Sequence, residues 1–185
     1  MRRIILGQIL LTLCCIVYLV WWYRGFRPGV HASRISGMNG FLLMITAVLG
    51  ISGITFSLLP VPQVTAPKLG TFVILAGGIA AYILLGLITK IAFQRIVTTE
   101  LILIVGWAVL ELTLINRLNG AGALPDGRFL FMCAVIAAAF IISLVLYVAY
   151  YRMEEMKAFY AAMIPLMTEA VSMAVLVGLL SVGKQ

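Results

Sequence analysis

Residues 129–151 read FLFMCAVIAAAFIISLVLYVAYY, 23 residues without one charge. Wound as an α-helix at 1.5 Å per residue, this run is roughly 35 Å long, enough to cross a hydrocarbon layer about 30 Å thick. Its polar groups are Ser143 and the hydroxyls of Tyr147, Tyr150 and Tyr151 near one end. It lacks the two-residue alternation of a half-buried strand and the charged face of a surface helix. Outward from it, the chain repeats the same kind of segment at 4–23, 40–59, 69–89, 99–118 and 157–182. The first ends in Trp21, Trp22 and Tyr23, residues that favour the membrane interface. Pro60 and Pro62 stop the second, Lys90 the third, and a loop rich in Gly, Asn and Pro (119–127) the fourth. The connections are short. These segments predict an all-α, polytopic transmembrane bundle of about six spanning helices, forming one integral membrane domain over 1–185.

Composition supports the same class. The chain is 64% hydrophobic and 10% charged, where a soluble domain carries about 25% charged residues. A water-soluble fold of this size cannot hide so much apolar surface. In lipid the penalty falls instead on unpaired backbone groups, which helices satisfy internally. The formal net charge of +7 does not signal nucleic acid. Its basic residues sit singly or in small groups between apolar runs, as at Arg2 and Arg3, at Arg24, Arg27 and Arg34, and at Lys90 and Arg95. That distribution anchors helix ends against anionic headgroups, so the partner it implies is the lipid bilayer.

The first segment is expected to remain as a spanning helix. Val30-x-Ala32 fits a signal-cleavage pattern, but the apolar stretch is longer than the usual ~7–15 residues. An even number of spans puts both termini on one side. Six Lys/Arg lie on that side and seven on the other, so charge alone does not orient the chain. The loops 60–68 and 119–128 are Pro/Gly turns, whereas the other connections are densely basic, which tips the reading toward termini outside a bacterial cell membrane. Six spans also admit two inverted three-helix halves. The linker 23–34 faintly echoes 116–128 in its basic, Gly-containing and Pro-interrupted character.

Candidate chemistry lies where charge is costly. Glu169 falls near the middle of the sixth segment and Glu111 just past the middle of the fourth. An acid at mid-membrane costs roughly 2.5–3.5 kcal/mol on insertion scales, so both are expected to face the bundle interior or a wet cavity. At 100° per residue, Ala162, Pro165, Ser172, Met173 and Leu176 share the Glu169 face. Pro165, four residues earlier, cannot donate to the Ala161 carbonyl and is expected to kink the helix beside the acid. Ala170, Ala174 and Gly178 form a small-residue stripe that predicts a close helix neighbour. On the fourth segment Glu100 and Glu111, eleven apart, return to nearly one face, with Trp107 between them. Glu100 also fits as a plain interfacial residue. Either deep acid can instead serve packing alone, protonated and bonded to Gln8, Tyr82, Thr113, Ser143 or Tyr147.

Other features carry less. Cys14, Cys15 and Cys133 lie in apolar runs and pack as small hydrophobes. Met156, Tyr160, Met163 and Met167 form a stripe better suited to packing than to soft-metal ligation. His31, the single histidine, falls in a basic loop. Gly50, Gly53, Gly77 and Gly78 are expected at close helix contacts. No phosphate-binding glycine loop, zinc-helix motif or acid-rich metal cluster is present, and Glu154-Glu155 suits a helix N-terminus. The expectations are therefore no metal, no cofactor and no catalysis. The leading functional expectation is a small permease, carrier or channel-like protein for a proton, cation or cationic solute, with Glu169, Glu111, Pro165, Ser172 and Trp107 at its site. Such a protein can work as a homodimer or with a partner membrane protein. The alternatives are a non-transporting scaffold or assembly protein and a substrate-capture subunit of a larger transporter.

Overall fold

The computed structural model describes residues 2–28, 37–59, 70–94 and 98–182. Its helices are α1 (Arg2–Phe26), α2 (Gly37–Leu58), α3 (Thr71–Phe93), α4 (Thr98–Gly120), α5 (Asp126–Tyr150), α6 (Glu155–Ala161) and α7 (Ile164–Val182), with no strand among the described residues. Taking α6 and α7 together, six stretches are long and apolar enough to cross a membrane. The protein is an all-α, multi-pass membrane bundle. Val30, His31, Ala32, Arg34, Pro60, Pro62, Lys68, Arg95 and Lys184 lie outside the described residues.

The sixth span departs from the single helix read over 157–182. It begins two residues earlier, closes at Ala161 and restarts at Ile164. Pro165 is the cause: it has no N–H to give, and its ring disfavours helical geometry in the residue before it. The end of α6 is tied off by Ala162 N–H to the Ala158 carbonyl (3.0 Å) and Met163 N–H to the Tyr160 carbonyl (3.1 Å), the second a tighter 3₁₀-type turn. The ladder resumes when Met167 N–H reaches the Met163 carbonyl at 3.2 Å. The kink expected from Pro165 is thus a full break.

Packing follows from which helices hold polar groups. α1 packs on α2 and α7, α5 on α7 and α4, and α3 on α4, while α4 also touches α7. The span of α4 is 61% buried, against 11–28% in the others. Leu101, Ile104, Leu114 and Ile115 of α4 are fully enclosed, as are Met132 of α5 and Leu176 of α7. α4 is therefore the axis of the bundle. The short α4–α5 connection folds tightly around Gly122, whose φ of 71° suits glycine. Asn119 Nδ2 donates to the Leu124 carbonyl (2.8 Å) and to Asp126 Oδ1 (2.9 Å). Arg128 Nη1 donates to the Leu179 carbonyl at 3.2 Å, fastening the start of α5 to the end of α7.

Aromatic rings gather where α1, α3 and α5 end and α6 begins. Trp22 stacks on Phe26 at 4.5 Å, Phe93 on Tyr151 at 4.7 Å, and Tyr23 meets Phe159 at 6.0 Å. Arg27 lies 5.1 Å from the Tyr23 ring centroid and Arg152 5.8 Å from that of Phe93. This is an aromatic and cationic belt at one membrane boundary.

Two small-residue expectations divide. Gly53 approaches Gly7 closely: a Cβ on Gly53 would stand 3.1 Å from the Gly7 carbonyl oxygen, and one on Gly7 would stand 2.6 Å from the Ser57 backbone nitrogen. Gly78 likewise faces Val109. By contrast Ala174 and Gly178 are exposed and nothing crowds Gly178, so only Ala170 of the stripe on α7 packs against the core. The buried face of α7 is the one carrying Glu169, Ser172, Met173 and Leu176. Met156, Tyr160 and Met167 are also exposed, facing lipid rather than packing inside.

The α1–α2 contact depends on a missing side chain. Gly7→Ala is expected to lower stability by about 1–3 kcal/mol, because its methyl would meet backbone that cannot yield. Gly178→Ala, entering open space, is expected to stay within about 0.5 kcal/mol of wild type. Thermal melts in one detergent check both; equal midpoints for the two variants would refute the close approach.

Candidate functional site

The polar centre is built from three helices. α1 contributes Gln8, Cys15, Tyr18 and Trp22, which recur at helical spacing along its inner face. α4 contributes Glu100, Trp107, Glu111 and Thr113, and α7 contributes Pro165, Glu169 and Ser172. Glu111 is 0% exposed, Ser172 1%, Glu169 3% and Trp107 7%. Both acids therefore face protein, as the cost of a lipid-facing carboxyl requires.

Their hydrogen bonding is incomplete in a localised way. The buried side-chain atoms without a partner, among the described residues, are Gln8 Oε1, Trp22 Nε1, Trp107 Nε1, both Glu111 oxygens, Glu169 Oε1 and Ser172 Oγ. Every one belongs to α1, α4 or α7. Buried polar groups are satisfied in the large majority of cases, so a cluster of exceptions needs a physical reason. Elsewhere the bundle does pair them: Ser143 meets Thr168 at 3.3 Å, Thr168 donates to the Pro165 carbonyl at 2.8 Å, and Tyr151 donates to the Tyr147 hydroxyl at 3.0 Å. Gln8 Nε2 donates to Ser57 Oγ at 3.3 Å, holding α1 to α2. Gln8 also stands beside Glu111, yet no hydrogen bond of good geometry joins them.

A cavity of about 630 Å³ lies against this centre. Glu169, Trp107, Cys15, Tyr18, Thr113 and Arg117 line it, and the remainder of its wall is almost wholly apolar. Glu169 is its single carboxyl. A second, much smaller void of about 20 Å³ shares Glu169 and Tyr18 and extends to Glu100, Trp22 and Pro165. The break in the sixth span places Pro165 on that void and Glu169 one turn along α7. Glu111 and Ser172 line neither space. Cys15 lies within electrostatic reach of both Glu169 and Glu111.

The predicted residues thus separate into two groups. Glu169, Trp107 and Pro165 border open space, with Glu169 common to both spaces. Glu111 and Ser172 are sealed behind them. Tyr82, Ser143 and Tyr147, read as structural partners for the acids, are engaged in other contacts. Cys15, Tyr18, Trp22 and Arg117 were not singled out for the site by sequence. The α1 face that carries the first three is a visible helical stripe, but its neighbour is set by packing. The described residues include no group of His, Cys, Asp or Glu suited to a metal ion.

No protein-family model matches the chain, and no curated protein or solved structure is significantly similar to it.

The unpaired oxygens of Glu111 give an expected outcome. Replacing it with Gln leaves the volume and removes an ionisable group that nothing holds, so stability should be unchanged or higher. A loss beyond about 1 kcal/mol in a detergent melt would mean that the carboxylate is held by a charge partner.

Proposed function

We propose that the chain is a small permease or carrier for a proton, a cation or a cationic solute, with Glu169 as its binding carboxyl. The observation that carries this reading is that Glu169 borders a wide cavity in the spanning bundle while one of its oxygens, Oε1, is sealed just behind the wall with no partner. A carboxyl used only for packing would be expected to take a neighbouring hydroxyl, as Ser143 and Thr168 take each other. A proton or cation would supply the partner that Glu169 lacks. Trp107 would form part of the binding wall. Ser172 and Glu111 would act from behind it, Glu111 as a second acid coupled through the Cys15 region.

The broken span fits this work. Discontinuous helices beside a mid-membrane site are a recurrent transporter feature, because an interrupted helix offers both freed backbone groups and a place to bend. In this reading α6 moves against α7 about Ala162 and Met163, while α4 stays fixed as the axis. The protein would sit in a bacterial cell membrane with both termini outside, alone, as a homodimer or with a partner membrane protein.

A second reading draws on Glu111. It is wholly enclosed and borders neither space, so no solute reaches it, which suits a non-transporting scaffold. The two readings part in a melt series. Purified protein is heated with sodium, potassium, tetramethylammonium or tetraphenylphosphonium, for wild type and Glu169→Gln. A ligand that binds only the folded state adds about 2.7 kcal/mol at a hundredfold excess over its Kd. The carrier reading expects at least one cation to raise the wild-type midpoint and to lose that effect in Glu169→Gln, followed by uptake of the same cation into proteoliposomes. A flat wild-type response to all four favours the scaffold.

A further inference from the structure

The two spaces that meet at Glu169 differ greatly in width, and the difference bears on what can reach it. The void toward Glu100 and Trp22 is about 20 Å³, room for a single water and no solute. The wide cavity is about 630 Å³, within the usual range for an organic ligand. Its wall includes Gly50, Ile54 and Leu58 of α2 together with Leu75 of α3 and Ile102 of α4. Ile54, Leu75 and Ile102 are exposed, so the cavity opens on the apolar outer surface of the bundle. α2 and α3 do not pack closely on each other among the described residues. The space between them is the mouth.

Resting on the Glu169 reading, the geometry points to a lipophilic organic cation as the ligand, entering sideways from the bilayer between α2 and α3. The lining suits such a molecule and not a hydrated ion. A calcium ion wants six to eight oxygens and magnesium near-octahedral coordination. This wall offers Glu169, two threonines and the Tyr18 hydroxyl. Arg117, in the last turn of α4, also lines this wall and repels any cation, organic or inorganic, from that end. An organic cation brings its own apolar shell to the apolar wall. Its charge comes beside Glu169, whose side chain turns to bring the sealed oxygen to it, and the Trp107 and Tyr18 rings can face it by cation–π attraction. A second copy of the chain or a neutral lipid tail would fill the volume but leave Glu169 unpaired.

Equilibrium dialysis tests this with radiolabelled tetraphenylphosphonium and the full chain in phosphatidylcholine nanodiscs, against empty nanodiscs. Saturable binding of one cation per chain is expected, at least tenfold weaker in Glu169→Gln. Unlabelled tetramethylammonium, which carries the same charge without the apolar shell, should displace it at least tenfold less effectively than unlabelled tetraphenylphosphonium. Ile54→Trp, an exposed change at the mouth that leaves Glu169 in place, should weaken binding at least threefold. Equal displacement by tetramethylammonium would overturn the lipophilic class and leave the Glu169 reading standing. Wild-type affinity in a folded Glu169→Gln would remove Glu169 itself. Binding no greater than to empty nanodiscs would overturn the lipophilic cation as ligand, and wild-type affinity with an unchanged rate of binding in Ile54→Trp would overturn entry between α2 and α3.

Discussion

The cost of placing an unpaired carboxyl within reach of lipid governs this bundle. Two acids lie deep in the spanning region, and neither can stand on a lipid-facing surface without a penalty of a few kcal/mol. The arrangement answers this by enclosing α4. Its neighbours α3, α5 and α7 cover it, and α1 brings Gln8 and Cys15 toward its polar face. The apolar residues of α4 are buried for the same reason: a helix hidden for the sake of Glu111 takes Leu101, Leu114 and Ile115 inside with it. α2 and α3 hide no acid and remain the least enclosed spans. The close Gly7–Gly53 approach then holds α2 to α1 through backbone proximity, since lipid supplies no hydrophobic drive for helices to associate.

What the sequence made legible follows from the strength of each signal. Spans such as 129–151 are fixed by length and apolarity alone, and their positions survive to within a few residues. The inward direction of Glu111 and Glu169 also follows from residue type, because only one side of the helix is affordable. A bend beside Glu169 is legible as well, since Pro165 lacks a donor whatever the environment, although the full break is not. Its position was less so: closing α6 through the Met163–Tyr160 turn depends on how the preceding turn is pulled by its neighbours.

Pairwise packing was not legible, and the reason is specific to membranes. In water, a helix's buried face is apolar and its free face polar. Here both faces are apolar, so Ala170, Ala174 and Gly178 look like one interface, yet only Ala170 packs inward. The Met156–Met167 stripe misleads in the same way, reading as interior while facing lipid. The same ambiguity hid the mouth between α2 and α3, for no residue there signals a missing neighbour. The inverted halves that six spans admit find a partial counterpart in the helix contacts. The α1–α2 and α4–α5 pairs correspond, as do α1–α7 and α3–α4, but the α5–α7 contact has no close counterpart between α2 and α3 among the described residues.

That missing contact and the unpaired Glu169 belong to one geometry. If α2 lay on α3 as α5 lies on α7, the cavity would close and Glu169 would face a sealed, apolar space. Its carboxyl would then carry the cost of burial with no ligand able to relieve it. With the pair apart, the wall of Leu75, Ile102 and Ile54 can be covered by lipid or by an apolar solute at little cost, while the carboxyl waits behind it. The helix break adds a second asymmetry. It lies on the water-sized side, next to Pro165 and Glu100, where bending α6 would alter access for a proton without widening the path for a solute. In the proposed carrier, proton and solute would then reach one carboxyl from different sides, through openings of different size.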